Sequence, residues 1–300
     1  MSTAPQDPPS GYVGHLTPEQ EQALSQLKTD LQNEGWFVPE RHDDPALLRF
    51  LRHRKFDLSK AKKLITETEE WRKSFGVDDL VNNFDFSEKA EVSKYYPQYF
   101  HKTDKDYRPV YIERLGNVDL KALAAVTTQE RQLQRLAVEH ERLLYERLPA
   151  CSAAAGQPIE TANTILDVKG ISPLSFFKNR DYIFQAANIG ENYYPETLHM
   201  LYIINVPPLV PQIIDIVKSW LTDATIERIV VLGSNYKKTL LEQIPAENLP
   251  ADLGGACSCP GGCALSDEGP WNVPKYKNLA KSKTAKSTTA TSAPEATPAA

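Results

Sequence analysis

From Thr161 to Ile244 the chain alternates short, almost uninterrupted apolar runs with segments of helical length. The runs are "TANTILDV", "MLYIINV" and "IERIVVL". The segments that separate and follow them are "SPLSFFKNRDYIFQAANIG", "VPQIIDIVKSWL" and "NYKKTLLEQI". A strand that is apolar at nearly every position is buried on both faces, and a helix-length return between two such strands sets them parallel. The pattern predicts an α/β fold with a mainly parallel sheet covered by helices.

The first part of the chain reads differently. In "LTPEQEQALSQLKTDLQNEG", Thr17 is a good cap and Pro18 suits the first helical position. Leu24, Leu27 and Leu31 share one face, and Gly35 ends the helix. Two more helices are expected at "PALLRFLRHR" and "LSKAKKLITETEEWRKSFG". A turn-rich passage then leads into a strand at "VYIERL". Thr127 and Glu130 fit a capping box for a further helix with the stripe Leu133, Leu136, Ala137, His140, Leu143 and Leu144, expected to end near Leu148 and Pro149. The resulting organisation is a disordered stretch 1–16, a helical region 17–85, an α/β domain 86–277 and a low-complexity tail 278–300.

A net charge of -5 argues against a general affinity for nucleic acid, so any anionic ligand must be met by a local cluster. The N-terminus has no basic region followed by an apolar run, and with few cysteines this predicts a cytoplasmic protein. The stretch from Met200 to Leu221 is 22 residues long, enough to span a bilayer. However, it contains Pro207, Pro208, Pro211, Asn205, Asp215 and Lys218, and so reads as a strand, a break and an apolar helix. Ile213, Ile214, Val217, Trp220 and Leu221 make that helix more apolar than one buried face requires. It is either a core helix or a lid over an apolar cavity that rests on a membrane when open.

Signatures of catalysis are missing: no GxGxxG, GxxxxGK[ST], HExxH or GxSxG occurs, and no enzyme is expected. Asp167, inside an apolar strand, is read first as a carboxylate satisfying nearby donors. In "LLRFLRHRKFD", Arg49, Arg52, Arg54 and Lys55 surround an apolar ridge; each is either a solvated cation or a phosphate ligand. Cys257, Cys259 and Cys263 form a dense thiol cluster, but no cysteine or histidine follows them to complete four donors and Cys151 lies far upstream. They are read as a loop feature, and no metal is expected.

Longer blocks carry a resemblance: "LLRFLRHRKFDLSKAK", "YYPQYFHKTDKDYRPVYIERLG", "TILDVKGIS", "NYYPET", "YIINVP", "IVVLGSNYKKTLLEQIPAENLPADLGG" and "LSDEGPW". Together, from about residue 17 to about residue 276, they resemble the fungal phosphatidylinositol/phosphatidylcholine transfer branch of the CRAL-TRIO family. The resemblance implies an N-terminal helical bundle, then a domain whose sheet floors an apolar lipid pocket closed by a gate helix carrying Ile213, Ile214, Val217 and Trp220. It places the headgroup ligands of an inositol lipid on Arg54, Glu196, Thr225 and Arg228. The choline-lipid position falls on Thr164, with Ala162 where a serine is usual, so one hydroxyl is lost and phosphatidylcholine is the weaker ligand. Arg228 replaces the usual lysine, and His199 stands where a hinge glycine is usual.

The implied ligand is one bound phospholipid, with no cofactor. The implied partners are a transiently contacted membrane surface at the Golgi or endosomes and lipid kinases, with no nucleic acid and a monomeric chain. Lys275, Lys277, Lys281, Lys283 and Lys286 read as part of a solvated tail. A carrier of a sterol or squalene is the alternative; a hydrolase or an adaptor stands further off. Moving a two-chain phospholipid through water exposes about thirty methylenes at roughly 0.8 kcal/mol each, about 25 kcal/mol in all. Transfer therefore calls for an apolar cavity that opens against the membrane.

Overall fold

A computed structural model of the chain describes residues 10–278 apart from 117, 119, 172 and 208–210. Of the stretches 1–16 and 278–300 expected to be disordered, 1–9 and 279–300, including Lys281, Lys283 and Lys286, lie outside the described residues, as does Pro208; within 10–16 the chain is instead a bonded turn, where Gly11 N–H donates to the His15 carbonyl at 3.0 Å and His15 N–H to the Tyr12 carbonyl at 2.9 Å. Contacts divide the described chain into two units, 10–75 and 76–278.

The first unit is helical. Helix α1 (Pro18–Asn33) starts at a capping box: Gln20 N–H donates to the Thr17 hydroxyl, and the Thr17 N–H donates back to the Gln20 side chain. It buries Ala23, Leu24, Leu27 and Leu31, the stripe expected from the sequence. Helix α2 (Asp44–His53) is capped by Asp43, whose carboxylate accepts from Ala46 N–H at 2.9 Å, and it buries Leu47, Leu48 and Leu51 against α1 and α3 (Leu58–Phe75). Arg52 is held inside this unit, donating to the Gly11 carbonyl at 2.9 Å with its guanidinium 3.9 Å from the Tyr12 ring centroid.

Buried Glu69 of α3 accepts from Arg41 Nε at 2.8 Å and from Arg41 Nη2, with His42 Nε2 3.0 Å away. Burial would push the Glu69 carboxyl up, but the hydrogen bonds from Arg41 and His42 outweigh it and hold the group at about 2, below its ordinary 4.5.

The second unit opens with α4 (Val77–Asn83), which lies within the sequence-based region 17–85 yet packs on the helix Gln129–Arg142 of this unit, and α5 (Lys89–Tyr95). Strand β1 (Gln98–Thr103) follows in a passage the sequence presented only as turns, then β2 (Pro109–Arg114) and α6 (Leu120–Val126). Helix α7 (Gln129–Arg142) is capped by Thr128 rather than Thr127: the Thr128 hydroxyl accepts from Arg131 N–H at 3.1 Å, while Thr127 N–H still bonds to Leu123 at the end of α6. The helical path also does not stop at Pro149. It widens into a π segment, Leu143–Arg147, where Leu148 N–H reaches Leu143 O, and continues as α8 (Leu148–Ala155) with Pro149 in its first turn, where a proline needs no N–H partner.

Strand β3 (Ala162–Asp167) leads to α9 (Pro173–Lys178) and α10 (Arg180–Asn188), two helices where one was expected, and a second π segment at Ile189–Tyr193. Then come β4 (Leu198–Ile204), α11 (Pro211–Lys218), α12 (Asp223–Ile226), β5 (Ile229–Val231), α13 (Lys237–Gln243) and α14 (Cys263–Ser266). The described strands form one sheet in the order β1-β2-β3-β4-β5, antiparallel between β1 and β2 and parallel elsewhere, as the alternating pattern predicts.

Strand alternation separates the two faces of this sheet. Tyr99, Val110, Ile112, Ile165, Tyr202 and Ile204 pack on Tyr236, Leu240, Ile244, Leu249 and Leu253 from α13 and the loop after it. Gln98, Phe100, Tyr111, Glu113, Ala162 and Thr164 face the other way and line a cavity. Both faces need apolar side chains, which is why the strands read as continuous runs. Asp167, at the end of β3, accepts from Lys169 N–H at 3.0 Å and from Asn205 Nδ2 at 2.8 Å, the satisfied carboxylate of the plainer reading. Where the loop after α13 closes on itself, a Cβ at Gly255 would sit 2.0 Å from the Leu249 carbonyl oxygen, so no larger residue fits without moving backbone.

Two outcomes follow from this packing. Because the folded Glu69 carboxyl titrates below its unfolded value, its contribution, roughly 3 kcal/mol, is present above about pH 4.5 and is lost as pH falls towards about 2. Urea unfolding followed by helical circular dichroism should show Glu69→Gln less stable than the parent at pH 7, with the gap reduced to about half or less at pH 3 and nearly closed at about pH 2. Gly255→Ala should lower the thermal midpoint by several degrees, measured by calorimetry, while Gly261→Ala, where a Cβ meets no atom within 4 Å, should cost less despite its positive φ.

Candidate lipid site

The cavity belongs wholly to the second unit and has a volume of about 300 Å³. Its floor is the sheet face carrying Phe100, Tyr111, Thr164 and Leu166; its roof is built from His140 of α7, Leu143 of the first π segment, Ile183 of α10 and Val217 of α11. Ala162 and Thr164, two apart on β3, both face it, so the position without a hydroxyl and the position that keeps one are neighbours on the same wall.

One polar cluster sits in this wall around Glu196, Thr225 and Arg228. Arg228 donates from Nη2 to Glu196 Oε2 at 2.9 Å and from Nη1 to the Leu198 carbonyl at 2.7 Å. The planar fork thus serves two acceptors from two different nitrogens in a fixed geometry, which the compact, freely rotating ammonium of a lysine does not provide, and uses two of its five N–H groups. Glu196 is held at φ 59, a left-handed conformation uncommon for a residue with a side chain, which turns its carboxylate towards Arg228. Thr225 donates to Glu191 Oε2 at 2.9 Å and lies 3.1 Å from the Thr222 hydroxyl, while Thr222 N–H donates to Glu191 Oε1 at 2.8 Å.

Glu191 was not singled out from the sequence. It sits in the second π segment, whose wide turn sends it to the cavity wall, where it fixes the start of α12 and holds the Thr225 hydroxyl. The structure therefore brings three of the four sequence-derived headgroup residues together. Arg54, the C-cap residue of α2, belongs to the first unit. His199 lies within β4, half-buried, where no glycine conformation is called for.

A second polar end lies on the same floor. Glu113 accepts from the Tyr96 hydroxyl, and Tyr111 and Tyr182 share the cavity with it. Burial raises the Glu113 carboxyl, opposed by hydrogen bonds from Tyr96 and Gln98. Burial likewise raises the Tyr96 and Tyr111 hydroxyls and lowers His140 to about 4, so His140 is neutral at pH 7 where it stacks on Tyr194 with ring centroids 4.7 Å apart. The signal for this end was present in "VYIERL": alternation puts Glu113 on the face of Tyr111, not on that of Ile112.

Helix α11, the expected gate, is shorter than the Val210–Leu221 segment read from the sequence. It ends at Lys218, because Trp220 N–H and Leu221 N–H bond three residues back, to Val217 and Lys218, and Thr222 is drawn to Glu191. Trp220 thus stands beyond the helix, edge-on to Phe184 at 5.3 Å. Ile213 and Ile214 are buried against Phe176, Val217 and Leu221 line the cavity, and nearby Leu174, Phe177 and Phe184 are exposed.

Comparison with known proteins agrees with this architecture. Residues 93–255 match the CRAL/TRIO domain model and residues 19–67 match the CRAL/TRIO, N-terminal domain model. The chain is 51% identical over 270 residues to the Sec14 cytosolic factor of Schizosaccharomyces pombe, covering 90% of this chain and 94% of that protein. It is 47% identical over 242 residues to phosphatidylinositol/phosphatidylcholine transfer protein SFH12 of Arabidopsis thaliana, covering 79% of this chain and 45% of that longer protein. Among solved structures, that of Sfh5 matches with a TM-score of 0.63 at 15% identity, over 90% of this chain and 98% of that one, a likeness of fold. The chain belongs to the CRAL-TRIO family, within its group of Sec14 cytosolic factor relatives.

Proposed function

We propose that this protein binds one phospholipid in the cavity of its second unit and exchanges it between membranes, with phosphatidylinositol as its main ligand. The observation that carries this reading is the cluster of Glu196, Arg228, Thr225 and Glu191 in the wall of an otherwise apolar cavity. A cation suits a phosphate, and hydroxyls and carboxylates suit the hydroxyls of an inositol ring. Arg54 is the fourth headgroup ligand on the family resemblance. Phosphatidylcholine is the second ligand: the rings of Tyr96, Tyr111 and Tyr182 beside Glu113 offer the aromatic faces and the carboxyl that a quaternary ammonium favours, with Thr164 on the adjoining wall. The relatives named as phosphatidylinositol/phosphatidylcholine transfer proteins support both ligands.

Among the described residues no helix is long and apolar enough to cross a membrane, so contact with a bilayer is peripheral in this reading. Exposed Leu174, Phe177 and Phe184 beside the gate supply the apolar surface for it. The protein acts without a cofactor and without catalysis, as a cytoplasmic monomer that supplies lipid to kinases at Golgi or endosomal membranes and so supports secretory traffic.

Protein purified from cells should carry one phospholipid, identified by mass spectrometry, and should move labelled phosphatidylinositol between vesicles with the lipid intact. Arg228→Ala and Glu196→Ala should each cut phosphatidylinositol transfer by about ten- to a hundredfold, the loss expected for a charge-assisted hydrogen bond. Transfer at the parent rate would remove the headgroup site. Ala162→Ser should raise the share of choline lipid recovered. Val217→Asp, which puts a charge in the cavity roof, should abolish loading of either lipid with the helical circular dichroism unchanged.

A further inference from the structure

The thiol cluster after the lipid-binding core lacks a fourth donor only along the sequence. In the fold, His101 of β1 meets Cys257, Cys259 and Cys263, and one ligand atom from each of the four lies within 4.8 Å of the others. His101 Nε2 is 3.3 Å from Cys257 Sγ, and Cys257 Sγ is 3.7 Å from Cys259 Sγ. Four ligands around a tetrahedral zinc ion, with Zn–S near 2.3 Å, stand about 3.8 Å apart, so these side chains already lie close to the spacing such a site needs. We propose that His101, Cys257, Cys259 and Cys263 bind a structural zinc ion.

Three features of the surroundings point to a ligand set rather than a chance meeting. The first is the histidine tautomer. Ser266 Oγ lies 3.0 Å from the Cys263 carbonyl and 3.2 Å from His101 Nδ1, so a hydroxyl that donates to the carbonyl is free to accept from an Nδ1–H. In that tautomer the Nε2 lone pair faces the sulfurs, the usual arrangement of a metal-binding histidine held by an outer partner. The second is the loop. Gly261 and Gly262 have φ of 75 and 92, and Gly262 N–H closes back on Cys259 O at 2.9 Å, a turn that returns Cys263 to the other two thiols. The third is charge. Three thiolates and a neutral imidazole around a divalent cation leave one net negative charge, and Lys102, next to the histidine, brings a positive charge beside the loop, its Nζ donating to the Glu247 carbonyl at 2.9 Å.

His101 is fully buried and lies on the same sheet face as Tyr99, opposite the face of Gln98 and Phe100 that lines the lipid cavity. The proposed ion therefore does not touch the lipid. It ties the antiparallel edge strand to a loop more than 150 residues later in the chain, where few long apolar side chains are available to do so. All four cysteines of the chain are free thiols, the form that zinc requires.

The test uses the full chain, produced without a histidine tag, reduced and kept free of chelator. Elemental analysis should find about one zinc per chain, and exchange for cobalt(II) should give the intense visible bands of a tetrahedral site with a sulfur-to-cobalt charge-transfer band in the near ultraviolet. Cys259→Ser and His101→Gln should lose the metal. Cys151→Ser, whose thiol is buried in α8 away from the cluster, should keep it. Ser266→Ala should weaken zinc by about ten- to a hundredfold in competition with a chelator, because only the outer partner is removed. If the unaltered chain holds no zinc and takes up no cobalt, or if its cysteines are found paired as disulfides, the proposal fails. It also fails if Cys151→Ser loses metal as fully as Cys259→Ser.

Discussion

The structure depends on a sheet whose two faces are apolar for different reasons. One face is filled: side chains of β1 to β4 pack on Tyr236, Leu240 and Ile244, and this supplies the core that keeps the sheet in shape. The other face is left partly unfilled, roofed by helices that do not reach down to it. Side chains alternate along a strand, so each strand contributes to the core and to the cavity at once. A shift of one residue in register would exchange Thr164 for Ile165 and bring an aliphatic side chain where a polar one stands. The same alternation that stabilises the domain therefore also positions its ligand-facing groups.

The cavity wall is built by pairing, with few isolated charges. Glu196 and Arg228 satisfy one another across the gap between the "YYPE" turn and the segment before β5, and Glu191 binds the Thr222 amide and the Thr225 hydroxyl. A buried carboxylate or guanidinium without a partner would cost several kcal/mol, so in the absence of a headgroup the groups hold each other. A ligand need only exchange some of these hydrogen bonds for its own. Such a site favours release as well as capture, which suits the proposed exchange.

How much of this was legible in the sequence differs from element to element, for physical reasons. The helices of the first unit announce themselves through local chemistry: Thr17, Pro18 and the leucines of α1 all act within one or two turns. The parallel strands show through their double-sided burial. Strand β1 does not, because it is the edge strand and its sequence, Gln98 to Thr103, mixes polar and aromatic residues whose burial is decided by distant partners. The cap of α7 slipped by one residue because Thr127 and Thr128 are equally good acceptors, and only the preceding helix, which claims the Thr127 amide, decides between them. The π segments left no mark in a 3.6-residue period, and with them Glu191 went unseen. Arg228, Glu196 and Thr225 could be named only through family resemblance, since nothing local distinguishes them from other polar residues.

The cysteine loop shows the limit of spacing rules most clearly. Counting donors along the chain stops at three, because such rules describe ligands that one short segment supplies to itself. Here the fourth donor comes from the one strand the sequence concealed, and it is brought into place by pairing of β1 with β2 and by the contact of α14 with β1. His101 has no neighbouring histidine or cysteine to draw notice, and its burial is a consequence of the sheet. The reason the strand was missed and the reason the cluster looked incomplete are the same. A segment whose polar residues make it look like a turn becomes a strand when a distant loop covers those residues, and the covering loop is the one that carries the thiols.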